Sequence, residues 1–174
     1  MALLALLPGC AEDSPPAVSD ELSSPAQSGT STTGPRCENG AWPSVVNGVP
    51  SVLEEGPSTG YYVWHGFLGW SLRTVDTDAE PRTFRGSVVA SGPSISAKPF
   101  PADAPVQLAV AGNRLDFEIP SGPEPQGFDL VVGCQSTLVR FELNGPSGPW
   151  PLEGIFLGGG GSAYGNPLVI ERQQ

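Results

Sequence analysis

Glycine and proline punctuate this chain from end to end, 23 and 20 of them in 174 residues, about a quarter of the sequence. Proline removes a helical hydrogen-bond donor and glycine adds backbone entropy, so both interrupt helices. The longest stretches free of either are Trp70–Glu80 and Cys134–Asn144. Neither carries an apolar stripe at 3.6-residue spacing, so long helices are excluded. The runs between the breaks alternate instead with period two. In Arg114–Ile119, Leu115, Phe117 and Ile119 alternate with charged residues. Val139, Phe141 and Leu143 alternate with Arg140 and Glu142, and Phe84 and Val88 lie opposite Arg85 and Ser87. Phe128, Leu130, Val132 and Cys134 share one parity, which predicts an inward-facing Cys134. Such patterning describes strands with one buried and one wet face.

Turn chemistry joins the runs. Gly112-Asn113 predicts a two-residue hairpin between Val106–Ala111 and Arg114–Ile119, and Asn47-Gly48 predicts another between Ser44–Val46 and Val49–Val52. Eight to ten short strands with a turn every 8–12 residues describe an all-β chain. The expectation is a single antiparallel β-sandwich, jelly-roll or Ig-like, with a closed β-barrel as the alternative. No internal repeat is present to suggest a propeller.

Three segments follow from composition: residues 1–10, 11–35 and 36–174. Ala2–Leu7 is apolar and runs into Pro8-Gly9-Cys10. This end resembles the lipobox of bacterial lipoproteins, with leucine three positions before the cysteine and a small residue just before it. The resemblance implies export, cleavage before Cys10 and a diacylglyceryl group on its thiol. No Lys or Arg precedes the apolar run, and an upstream translation start accommodates that. Ala11 is not the aspartate that retains many Gram-negative lipoproteins in the inner membrane. An outer-membrane address is therefore implied for a Gram-negative source. Residues 11–35 consist largely of Ser, Thr, Pro, Ala, Gly and Gln, and all four of their charges are acidic. They offer too little apolar surface to offset chain entropy and read as a disordered tether.

Cys37 and Cys134 then remain at opposite ends of the β domain. With Cys10 spent on lipid, an exported chain would pair them in a disulfide. Closing a loop of about 100 residues would stabilise the fold by roughly 4–5 kcal/mol in the chain-entropy model.

The chain offers little chemistry. His65 is the only histidine, which rules out a histidine metal cluster, and no Gly-x-Ser-x-Gly elbow accompanies it. Gly158–Gly161 fits neither a dinucleotide-binding frame nor a P-loop and reads as a mobile loop. Asp76, Asp78 and Glu80 begin like a calcium loop, but Pro81 stands where that loop needs glycine, leaving a solvated acidic turn. No catalytic residue, metal or cofactor is assigned. Of 18 acidic residues, 14 lie in the domain against eight basic ones, and no basic stripe is present to engage nucleic acid.

The aromatic residues are unevenly placed. Five of the 14 fall within Tyr61–Trp70, a segment that reads as a tight hairpin. Tyr62 and Trp64 face one way along its first strand, Tyr61, Val63 and His65 the other. One set enters the core. The other is either buried as well, under the second sheet and loops, or left as an exposed platform of the kind that stacks on sugar rings, which makes Tyr61, Tyr62, Trp64 and Trp70 candidate ligand contacts. Tyr164, beyond the glycine run, is a fifth. The spacing of Tyr62–His65 and Trp70, the strand Gly127–Leu130 and the segment Gly158–Val169 is similar to that of small secreted bacterial domains, and that likeness implies no activity. The expected function is binding or structural presence at the cell envelope, extracytoplasmic and lipid-anchored to a bacterial membrane. An envelope glycan or another protein is the expected partner. The alternatives are a carbohydrate-binding module, given an exposed aromatic patch, and a secreted hydrolase of the glycoside hydrolase type, given two carboxylates across a cleft.

Overall fold

The computed structural model describes residues 40–174. Cys10, Cys37 and the tether lie outside them. Eleven strands form: β1 (Gly60–Gly66), β2 (Gly69–Val75), β3 (Arg82–Ala90), β4 (Ile95–Phe100), β5 (Gln107–Ala111), β6 (Arg114–Ser121), β7 (Gln126–Val132), β8 (Leu138–Gly145), β9 (Gly148–Pro149), β10 (Ile155–Leu157) and β11 (Leu168–Glu171). One sheet has the order β10-β1-β2-β7-β4 and the other β11-β8-β3-β6-β5, with β9 paired to β8. The fold is an all-β sandwich of two sheets, and it does not close into a barrel. Strand pairing is antiparallel except at one edge, where β10 runs parallel to β1.

The alternating residues meet where the pattern places them. Phe84 and Val88 from β3, Leu115, Phe117 and Ile119 from β6, and Val139, Phe141 and Leu143 from β8 are buried. They join Tyr61, Val63, Trp70, Leu72, Phe128 and Leu130 of the other sheet in one apolar core. The Gly112-Asn113 hairpin forms between β5 and β6, with Gly112 at φ +60°.

The Asn47-Gly48 hairpin does not form. Ser44–Val46 is a 3₁₀ turn and Ser51–Glu55 a short helix, α1. Pro43 and Pro50 leave arms too short for a ladder, and Pro50 instead stands at the N-cap of α1. Proline suits a helix start because the amide it lacks would be unpaired there anyway. Gly48 donates its N–H to the carbonyl of His65 (3.1 Å) rather than across a hairpin.

The glycine run is a packed turn rather than a mobile loop. A Cβ on Gly158 would stand 2.3 Å from the Gly48 carbonyl oxygen, and one on Gly161 would stand 2.2 Å from Cγ2 of Val45. The glycines are where two backbone segments approach too closely for side chains.

Cys134 is a further correction. Strand β7 ends at Val132, and Cys134 is exposed in the turn that follows. Ser136 donates its N–H to the Gly133 carbonyl (2.9 Å), and this turn breaks the parity that predicted an inward side chain.

Close packing across β3 gives a direct test. Gly86 pairs with Phe117 and Leu143. A Cβ there would lie 1.9 Å from the Glu142 carbonyl oxygen and 2.7 Å from Cζ of Phe117. Gly86→Ala is expected to cost at least ~2 kcal/mol in urea unfolding, the scale of core overpacking.

Candidate functional site

Both faces of the β1–β2 hairpin are covered. On the inner face Tyr61 is fully buried. Its hydroxyl donates toward the carbonyls of Asn144 (2.7 Å) and Arg85 (3.0 Å). Burial pushes that phenol far above its ordinary pKa. Trp70 packs edge-on to Trp42 and His65, at 5.0 and 5.2 Å between ring centroids.

The outer face carries a second cluster of Tyr62, Trp64 and Val75, packed under Leu53 of α1 and Phe156 of β10. Tyr62 stacks on Phe156 at 4.9 Å. Its hydroxyl donates to the Ser58 carbonyl (2.7 Å), which clips it to the segment after α1. Arg73 closes the remaining side. Its guanidinium carbon lies 3.9 Å from the Phe100 ring centre and 5.3 Å from that of Trp64. Nη2 binds Asp129 at 2.6 Å, and Nη1 donates to the Phe128 carbonyl at 2.6 Å. Desolvation lowers the Arg73 pKa, and the Asp129 carboxylate opposes that shift.

These contacts decide for burial of both sets and against the exposed platform. Tyr61, Tyr62 and Trp70 expose 1% or less of their surface and Trp64 9%. The inner set is buried by the opposite sheet. The outer set is buried by the short helix α1, by Phe156 of β10 and by Arg73 of the hairpin's own second strand. Tyr164 remains exposed at 59%, but its hydroxyl donates to the Val169 carbonyl in β11. It stands beside the edge of the other sheet and does not join the hairpin aromatics.

The candidate chemical groups are structural as well. Asp76 is fully buried rather than solvated, and it accepts hydrogen bonds from the backbone N–H of Arg82 (3.0 Å), from Nε and Nη2 of the same residue, and from the Asp78 amide. Arg82 also pairs with Asp78. On the outer face of the second sheet, Glu118, Asp116 and Glu142 each pair with an arginine: Arg85 (3.2 Å), Arg114 (2.6 Å) and Arg140 (2.9 Å). Among the described residues no three His, Cys, Asp or Glu side chains converge to hold a metal.

What the hairpin leaves outside is its tip. Phe67 and Leu68 form the two-residue turn between β1 and β2 and expose 74% and 83% of their surface. Val49 and Val131, also exposed, flank them. Val49 follows Gly48, which is bonded to His65, and the Cα of Val131 lies 3.5 Å from where a Cβ on Gly69 would stand.

Three other loops share this end, and hydrogen bonds tie them together. Ser91 N–H donates to Leu138 O (3.0 Å), Ile95 N–H to Gly112 O (3.1 Å) and Gly133 N–H to Ser94 O (3.3 Å). Gly92 N–H donates to Oγ of Ser136 (3.1 Å). The loops are Phe67-Leu68, Ser91–Ser94, Gly112-Asn113 and Gly133–Thr137, and none contains a charged residue. The opposite end has the loops 76–81, 101–106, 122–125 and 146–147. These hold Asp76, Asp78, Glu80, Asp103 and Glu124 and no basic residue. The domain is therefore polarised: the far loops are acidic, while the four loops at the other end are uncharged and carry a protruding apolar tip, with Glu171 and Arg172 beside them.

Phe67 and Leu68 were not singled out from sequence. The signal was available. A two-residue hairpin turn normally takes Asn, Asp or Gly for conformational reasons, and Phe-Leu in that position sacrifices turn preference to present apolar surface.

His65 supplies a pH test beneath the tip. Its ring lies between Trp42 and Trp70. Burial, assisted by the positive charge of Arg172, lowers its pKa from 6.5 to about 4. Between these values the unfolded chain binds the proton that the folded chain refuses, so stability falls as pH drops from about 6.5 toward about 4. Urea midpoints measured across that window are expected to decline in the wild type. The decline is expected to be shallower in His65→Gln.

No protein-family model matches the chain, and no curated protein or solved structure matches it.

Proposed function

We propose that this protein is a lipid-anchored, extracytoplasmic β-sandwich that works by contact at the bacterial cell envelope. In this reading Cys10 carries the lipid and residues 11–35 form the tether. The sandwich presents its uncharged end as the working surface. A Gram-negative source would place it on the outer membrane. The observation that supports a contact role best is the pair Phe67 and Leu68, left exposed at a turn while every neighbouring aromatic on the hairpin is buried. Two large apolar side chains held in water side by side, with Val49 and Val131 exposed next to them, bring no burial to the fold and support an interaction role for this end.

Two experiments test the anchoring. Expressed from its full precursor in its host, the protein is expected to incorporate a fatty-acid analogue, and Cys10→Ser is expected to abolish the label. Labelling that survives the substitution would remove Cys10 from the reading. Peptide mapping without reduction is expected to recover a Cys37–Cys134 bridged peptide, Cys134 being exposed in the turn after β7. A Cys10–Cys134 bridge would contradict both assignments.

A further inference from the structure

We infer that the uncharged loop end docks on a lipid bilayer, with Phe67 and Leu68 entering the interface of the membrane that holds the chain's own anchor. This inference rests on the lipid-anchored reading of Cys10 and names the partner of the same surface.

The path of the chain is the first support. Gly40, the first described residue, is held at the tip end. Its carbonyl accepts from Nη1 of Arg172 (2.8 Å), and the backbone N–H of Arg172 donates to Thr137 O (2.8 Å) in one of the uncharged loops. The Ala41 carbonyl accepts from Gln173 N–H (2.8 Å) beside it. The chain therefore leaves the sandwich toward Cys10 from the end that carries Phe67 and Leu68. The 29 residues between Cys10 and Gly40 would span about 30 Å as a flexible coil. That reach lets the tip meet the surface without strain.

Charge is the second support. Phospholipid surfaces are neutral or anionic. At the far end Arg82 neutralises part of the charge of Asp76 and Asp78, but Glu80, Asp103 and Glu124 remain and disfavour approach by that end, whereas the four loops at the tip carry no charge to desolvate or repel. The polarity of the domain thus orients it with the acidic end facing away from the membrane.

Shape is the third. A specific protein interface covers about 800 Å² on each partner. The apolar surface here is narrow, two side chains standing on a turn with Val49 and Val131 at its shoulders. An aromatic and an aliphatic side chain projecting together suit insertion into the interfacial layer, where aromatic rings are favoured. Two side chains alone bind weakly and reversibly. The tether supplies the high local lipid concentration that makes weak insertion persistent.

The test bypasses biological acylation, so its failure is separable from failure of the anchor. The full-length chain, with Cys37 and Cys134 oxidised, is coupled through the Cys10 thiol to maleimide-bearing lipid in phosphatidylcholine vesicles. Phe67→Trp adds an emission at the tip, read after subtracting the wild-type signal. Vesicles with brominated acyl chains are expected to reduce that added emission at least two-fold relative to unbrominated ones. High salt is expected to leave the quenching unchanged, since the contact is apolar. Adding Leu68→Asp is expected to abolish it. Ser147→Trp, at the exposed turn of the acidic end, is expected to show no quenching. Equal emission from Phe67→Trp in both vesicle types would overturn the proposal and leave the tip to a protein partner. Quenching at Ser147→Trp instead would overturn the orientation.

Discussion

The arrangement of this domain depends on how the β1–β2 hairpin is covered on two sides by unrelated means. The opposite sheet takes Tyr61, Val63, Trp70 and Leu72 into the main core. Arg73, threaded between Phe100 and Trp64 and tied to Asp129, closes the outside together with α1 and Phe156. An arginine is suited to that position. Its planar guanidinium offers a face to the rings while its edge donates to the Asp129 carboxylate and the Phe128 carbonyl. A lysine would provide a point charge without the plane. With both faces closed, the hairpin has no ring left to present except at its turn, and the exposed tip follows from that closure.

The glycines serve the same end. Gly158 and Gly161 let the turn after β10 lie against the 44–48 segment. That segment in turn fixes Gly48 onto the His65 carbonyl at the root of the tip. The high glycine content is partly an adaptation to backbone-on-backbone packing, and not only to turns.

Much of the scaffold was legible because it rests on local patterns. Alternation in Arg114–Ile119 and Val139–Leu143 identified strands and their inward residues, since period-two patterning reports directly on one buried face. The Gly112-Asn113 turn was legible for a similar reason. Parity failed at Cys134 because a strand's end is not marked in its alternation, and at Asn47-Gly48 because two flanking prolines outweigh a good turn dipeptide. Burial of Tyr62 and Trp64 was one of the two readings the hairpin allowed, but what buries them was not legible. Their cover comes from α1, residue 53, from Arg73 on the neighbouring strand, and from Phe100 and Phe156 far along the chain. Arg73 belongs to the hairpin's own second strand, but an arginine there reads as a wet-face residue, and the other three are not signalled by the hairpin sequence. Asp76 behaved likewise: a turn rich in acids looks solvated until Arg82, six residues on, is seen folding back over it.

Hydroxyl-radical footprinting of the folded chain, read residue by residue, tests this account most directly. It separates a hairpin sealed on both faces from one that offers its rings. Phe67 and Leu68 are expected to oxidise fast, while Tyr61, Tyr62, Trp64 and Trp70 stay protected until the domain unfolds. Oxidation of Tyr62 or Trp64 in the folded protein at a rate comparable to Phe67 would contradict it, because the outer face would then be open and the aromatic surface, not the tip, would be what the domain presents.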